Sequence, residues 1–176
     1  MKTLIVVIHP DLKNSVINKR WLEELNKYPD LYKVHSLYDV YPNGELDVKA
    51  EQALVEQYDK IVFQFPFYWF NCPHLFKKWL DEVLLHGWAY GSQSGYKVAG
   101  KKIALAMSIG VDEKEYRAAG EYKYTVEELT RPFELSFAYV KADYRPFFAF
   151  YGIDFQSTPE RIENSVPLYL EFLQAL

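Results

Sequence analysis

The sequence predicts an α/β protein: a three-layer sandwich whose five-stranded parallel sheet runs in the order 2-1-3-4-5. Three observations predict it. Short β-branched runs alternate with stretches of helical periodicity, the pattern of strand–helix–strand units. The run Leu4-Ile5-Val6-Val7-Ile8 is continuously apolar and Lys60-Ile61-Val62-Phe63-Gln64-Phe65 nearly so, as strands covered on both faces are. These two most apolar runs come first and third, which suits a central position for both. In that strand order a ligand sits beyond the carboxyl ends of strands one, three and four. The 176 residues fit one domain, 1–176, with no repeat or internal boundary.

Each element follows in turn. After the first strand, His9 to Asn14 is a loop. A helix runs from about Ser15, with Ile17, Trp21 and Leu25 spaced i, i+4, i+8 on one face. Tyr32 to Leu37 reads as the second strand and Pro42-Asn43-Gly44 as a turn. A short helix over 48–57 carries Leu54 and Val55 and leads to the third strand. Pro73 falls in the first turn of the next helix, where its missing N–H costs nothing. Leu75/Phe76, Trp79/Leu80 and Val83/Leu84 recur every four residues as its buried stripe. A polar connection from Gly91 to Gly100 precedes the fourth strand, Lys102 to Met107; Tyr124 to Val140 is a helix and Arg145 to Tyr151 the fifth strand. Ser157 and Glu160 have capping-box spacing at the start of the last helix, with Pro159 in its first turn. Pro167 inside that helix predicts a kink or a restart.

Twenty Lys and Arg against 24 Asp and Glu leave a net charge of −4, without the basic excess of a nucleic-acid binder. Hydrophobic residues at 49% and charged residues at 25% describe a folded soluble chain. The single cysteine, Cys72, excludes an internal disulfide and a Cys-based zinc site. The opening apolar stretch is too short to span a membrane and lacks the cleavage pattern of a signal peptide, so a cytoplasmic enzyme or carrier is expected. The 4 Trp, 15 Tyr and 12 Phe exceed what a core of this size needs. Some are expected at a planar-ligand site or a subunit contact, where flat faces stack.

Several chemistries lack their motifs. No Gly-x-Gly-x-x-Gly follows the first strand, Gly100-Lys101-Lys102 precedes a strand where a phosphate loop would follow one, and no Gly-x-Ser-x-Gly elbow is present. His9, His35, His74 and His86 lack the i, i+4 spacing of a helical metal pair.

Three segments fall where the fold would assemble a site. The first is His9-x5-Ser15-x-x-Asn18, a loop into a helix start. Free backbone N–H groups and the positive dipole end suit a phosphate there, although Ser15 alone also reads as a helix cap. The second is Pro66-Phe67-Tyr68-Trp69-Phe70-Asn71-Cys72-Pro73. Six aromatics between Phe63 and Phe70 make a rigid loop able to flank a flat heterocycle, or a satellite core cluster or dimer patch. The third is Ser108-Ile109-Gly110-Val111, where a small polar residue and a glycine let the backbone come close to a ligand. Tyr116 lies further along that loop. A phosphate cradle together with an aromatic slot describes a flavin mononucleotide site.

The stretch Gln64 to Pro73, then Lys77-x-Trp79-Leu80-Asp81-x-Val83 and Gly87-Trp88-Ala89-Tyr90-Gly91, resembles the NAD(P)H:quinone oxidoreductase family of flavodoxin-like flavoproteins. Tyr124-Thr125-Val126-x-Glu128-Leu129-x-Arg131-Pro132-Phe133 and Pro146-Phe147-Phe148 before Tyr151-Gly152 are similar to its short bacterial branch. Members of that branch are often called NAD(P)H oxidoreductases or general stress proteins. The branch is also similar to the ancillary subunit of glutathione-gated potassium efflux systems. The resemblance implies a flavodoxin-like fold and a cytoplasmic enzyme moving a hydride from NAD(P)H to bound FMN, then two electrons to a quinone or similar flat acceptor. It implies His9, Ser15, Ile17 and Asn18 at the flavin phosphate end and Pro66, Phe67, Tyr68, Trp69 and Phe70 flanking the ring. Ser108, Ile109 and Gly110 would lie under the ring's other edge, and Tyr116 would assist catalysis.

Tyr90 would reach a partner's active site in a homodimer with a shared site, and the aromatics around Trp88 and Tyr90 would be buried there. Tyr122 stands in the substrate pocket where longer members place a histidine. The absence of their C-terminal extension favours FMN over FAD. A regulatory subunit of a potassium-efflux transporter, or a flavodoxin-type electron carrier, would use the same fold.

Overall fold

The computed structural model describes residues 2–93 and 95–176, so within the expected polar connection from Gly91 to Gly100, Ser94 lies outside the described residues. The sheet has the order expected from the sequence. Strand β1 (Thr3–Val7) pairs in parallel with β2 (Tyr32–Ser36) and β3 (Lys60–Pro66), and β3 pairs with β4 (Lys102–Ser108). The fifth position differs from the expected Arg145–Tyr151 strand. It is two short strands on the far edge of β4, namely β5 (Asp143–Tyr144) and β6 (Phe148–Phe150). Ile103 faces Tyr144 and Ala106 faces Phe148, so two residues of β4 oppose three on the edge. The extra residue sits around Pro146, which has no N–H to give the ladder, and the edge strand bulges there.

Helices cover both faces. α1 (Ile17–Leu25) and α7 (Pro159–Ala175) pack on one face, where Ile5, Val7, Val62, Ala104 and Ala106 point. Trp21 and Tyr169, ring centroids 4.7 Å apart, fill the space those small strand residues leave. α3 (Val48–Glu56), α4 (His74–Val83) and α5 (Val126–Tyr139) pack on the other, against Leu4, Val6, Phe63, Phe65, Leu105 and Met107. There Phe137, Phe63, Phe76 and Phe133 stack in that order at 4.6–5.6 Å. Much of the aromatic surplus is therefore core. One-turn helices α2 (Leu37–Val40) and α6 (Ile153–Gln156) complete the set.

The helix ends show which local signals were sufficient. Thr125 and Glu128 close a full capping box on α5, each side chain on the other's backbone N–H. The cap of α7 is Thr158, not Ser157: Pro159 occupies the first helical position, and Thr158 Oγ1 accepts from the Arg161 N–H at 3.2 Å. Ser157 donates its hydroxyl back to the Ile153 carbonyl and closes α6 instead. Pro167 neither ends nor restarts α7, which runs unbroken across it. Pro167 is exposed, so water can serve the carbonyl that loses its partner.

Candidate active site

The carboxyl ends of β1, β3 and β4 open onto a cavity of about 430 Å³, a volume usual for small-ligand sites. β1 delivers His9 to its wall. The Asp11 N–H donates to His9 Nδ1 at 3.1 Å, so a neutral imidazole carries its proton on Nε2. Burial pushes the His9 pKa down, and Asp11 only partly opposes it. The neutral imidazole is thereby favoured, with Nε2 as its donor. One turn of 3-10 helix, Leu12–Asn14, then carries the chain to α1. The first-turn amides of α1 have no partner within the helix. One of them, Asn18 N–H, donates to Ser15 Oγ at 3.2 Å.

Beneath the cavity the polar groups are linked. Asn18 Nδ2 donates to Ser108 Oγ at 2.8 Å, and Gln64 Nε2 donates to Asn18 Oδ1 at 3.1 Å. Tyr169 on α7 donates its hydroxyl to Gln64 Oε1 at 2.8 Å. Gln64 was legible as the polar residue inside an apolar strand; a group buried there needs partners. Tyr169 gave no such signal.

On the opposite wall β3 ends at Pro66, and the Phe67 N–H donates to the Ser108 carbonyl at 2.8 Å. The chain then turns sharply. Asn71 N–H donates to the Tyr68 carbonyl at 3.0 Å, with Trp69 and Phe70 at φ 51° and 57°. That is the pattern of a type I′ turn, which favours Asn-Gly over two aromatics. Trp69 is 92% exposed. The Tyr68 ring meets His9 edge-on at 6.5 Å, and burial followed by Asp11 and Asp154 raises its phenol pKa.

Among the residues singled out from the sequence, His9, Ser15, Ile17, Asn18, Pro66, Phe67, Tyr68, Ser108 and Gly110 line this cavity. Trp69, Phe70, Ile109, Tyr116, Tyr122 and Tyr90 are not among its lining residues. Trp69 stands in solvent, and the Phe70 ring meets Tyr122 edge-on at 4.9 Å. Ile109 is buried in the core, its N–H held by the Phe150 carbonyl at 2.9 Å. Tyr116 is 7% exposed among Phe67, Phe70, Tyr122 and Tyr151, with ring centroids 4.9–6.5 Å away. Burial, reinforced by Tyr122 and Asp154, pushes its pKa up to about 12. Tyr90 lies in a separate apolar groove of about 370 Å³ between α4 and α5, beside Leu80, Leu84, Leu135 and Tyr139.

Sequence reasoning missed Asp11, Asn14, Val16, Ile153, Asp154 and Ser157, which also line the cavity. The signal for Asp154 was the Tyr151-Gly152 turn before it: Gly152 has φ 74° and redirects the chain over the cavity. Gly110 leaves room for that return as the Asp154 side chain now lies. A Cβ on Gly110 would lie 2.1 Å from Asp154 Oδ2, so its close approach is to this carboxylate. Among the described residues no group of three or more His, Cys, Asp or Glu side chains is placed to hold a metal. No helix among them is long and apolar enough to cross a membrane.

An open parallel sheet of order 2-1-3-4-5 with a donor-lined cavity at its switch point is the arrangement of the flavodoxin-like class. The chain belongs to that family, matching Flavodoxin_2, "Flavodoxin-like fold", over residues 1–173. It is 45% identical over 175 residues to the uncharacterized NAD(P)H oxidoreductase YrkL of Bacillus subtilis (strain 168), with 99% of each covered. It is 35% identical over 175 residues to the glutathione-regulated potassium-efflux system ancillary protein KefG of Pectobacterium atrosepticum, covering 99% of this chain and 93% of KefG. The general stress protein 14 of Treponema denticola, solved in complex with FMN, superposes with a TM-score of 0.93 at 48% identity over 99% of both chains. An NADPH-quinone reductase from P. pentosaceus superposes with a TM-score of 0.87 at 29% identity over 98% of both.

Proposed function

We propose that this protein is an FMN-dependent NAD(P)H dehydrogenase of the quinone reductase kind, acting in the cytoplasm as one flavodoxin-like domain, 1–176, within a homodimer. The donor chemistry of the cavity carries the reading. Its described lining holds neutral donors, with no lysine or arginine, and two carboxylates, Asp11 and Asp154. That set fits FMN better than a free anion. The start of α1 with Ser15 suits the phosphate, the carboxylates suit ribityl hydroxyls as acceptors, and the Pro66–Tyr68 wall suits a flat ring. The FMN complex of the Treponema denticola relative supports the cofactor. The YrkL and NADPH-quinone reductase similarities support the co-substrate and acceptor class.

The overall reaction is balanced as NAD(P)H, one proton and a quinone giving NAD(P)+ and a hydroquinone. FMN, when bound, supplies the two-electron redox chemistry that links the two substrates. The chain holds and orients. His9, Ser15 and Ser108 donate to the cofactor, with Ile17, Asn18, Phe67 and Gly110 forming its bed. Trp69, Phe70 and Ile109 shape the loops around it. Tyr116 does not line the cavity itself but meets Phe67 of its wall at 6.2 Å, and would be the proton or hydrogen-bond donor to an acceptor held beside that wall, with Tyr122 beside it at 4.9 Å. Tyr90 reaches the shared site through the dimer.

Purified protein is expected to show a flavin absorbance, release FMN on denaturation, and oxidise NADPH or NADH with a simple quinone. Asn18→Ala and Trp69→Ala are each expected to lower flavin content severalfold; if both left it unchanged, the site assignment would be wrong. The KefG similarity favours a second reading, an ancillary subunit whose output is binding to a potassium-efflux transporter. Transporter pull-down without turnover by the isolated protein would select it. A stable one-electron form on titration would instead select a flavodoxin-type carrier.

A further inference from the structure

Two groups buried beneath the cavity are used by no step above, Gln64 and Tyr169, and Asn18 on the cavity bed joins them to it; each is 1% exposed or less. We propose that they form a positioning chain that turns the hydroxyls of Ser15 and Ser108 outward, as donors to whatever the cavity holds; with FMN as that ligand, the inference rests on the reading above.

The polarity of the chain is dictated link by link. Gln64 Nε2 lies within reach of two acceptors, Asn18 Oδ1 at 3.1 Å and the Asn18 carbonyl at 3.4 Å. A flipped amide would set Gln64 Oε1 against a carbonyl that has nothing to donate, so the flip is disfavoured. Gln64 Oε1 therefore faces Tyr169, whose hydroxyl has a proton to give. Full burial keeps that phenol protonated, its pKa raised well above the ordinary value. Asn18 Oδ1 is then occupied as an acceptor, and its Nδ2 must point at the serines. It reaches Ser108 Oγ at 2.8 Å and Ser15 Oγ at 3.4 Å; the Asn18 N–H adds a second donor onto Ser15. Both serine oxygens accept on the inner side, so each proton is left for the cavity the two residues line. Tyr169 on α7, which packs beside α1 on the same face of the sheet, thereby anchors the donor pattern of the site.

FMN titrations of the apoprotein, read by loss of flavin fluorescence, test this through non-additivity. Tyr169→Phe is expected to raise the Kd about five- to tenfold with both serines present, and less than about twofold in a Ser15→Ala/Ser108→Ala background. Gln64→Leu is expected to give the same rise. Adding Tyr169→Phe to it removes an orphaned hydroxyl, leaves the Kd unchanged and recovers melting temperature. Ser165→Ala is the structural control. It removes the Trp21 Nε1 bond to Ser165 Oγ at 2.8 Å, one turn away on α7, and is expected to lower the melting temperature with the Kd within about twofold. Additive effects, a silent Tyr169→Phe in a protein that binds FMN, or an equal Kd rise in Ser165→Ala would overturn the positioning chain. A folded wild type that binds no FMN would instead overturn the functional reading, and the inference with it.

Discussion

Tyr116 holds its proton under terms set by its neighbours. Burial first, then Tyr122 and Asp154, push its pKa up to about 12. The neutral phenol is the favoured form below that value and is lost only as pH rises through it. Its donor role is therefore expected to be constant from about pH 6 to 9. Tyr116→Phe should lower kcat about tenfold without changing the shape of the pH profile in that window, as steady-state assays with a quinone would show. Glu51 is the opposite case. It is 1% exposed and accepts from His35 Nε2 at 2.7 Å and from Tyr41 Oη and Trp79 Nε1 at 2.8 Å each. Burial alone would raise its pKa, but the donors from His35, Trp79 and Tyr41 outweigh burial and hold it below the usual carboxylate range. A lowered folded-state pKa adds stability above the unfolded value, about 4.3, and that stability is lost as pH falls through the folded value. Glu51→Ala should cost roughly 3 kcal/mol at pH 7 by urea denaturation, with the gap to wild type narrowing below about pH 4.

The turn Tyr68–Asn71 shows strain held at one element. Two consecutive aromatics take positive φ where Asn-Gly would do so freely. The double substitution W69N/F70G should raise stability by about 1 kcal/mol in thermal melts. If the aromatic turn serves the proposed enzyme, the same variant should lose most of its turnover. The aromatic density of this loop was visible in the sequence. Its backbone was not, because propensity predicts a turn with small residues, whereas contacts to the Ser108, Pro66 and Tyr68 carbonyls hold this one. The fifth strand teaches the same point. The expected strand runs straight through Pro146, and the split into β5 and β6 depends on the register of β4 opposite.

At the scale of the molecule, the groove of α4 and α5 carries an exposed apolar surface, with Leu135 70% and Tyr139 68% exposed and Tyr90 5.2 Å from Tyr139. It suits the proposed dimer. L135E/Y139E should convert a dimer to a monomer in sedimentation velocity, with the far-ultraviolet dichroism of the fold preserved.

Strand order, the two helical layers and the three loops at the carboxyl ends were determined by sequence alone, because alternation and burial pattern act locally along the chain. Nine of the residues chosen from those loops came to one cavity for that reason. The return of Asp154 over Gly110, the link from Tyr169 to Asn18, and the removal of Tyr116 from the cavity lining were decided only by the tertiary structure. Each depends on which atoms of distant segments meet, and a pattern that reports which face a residue takes carries no record of its partner there.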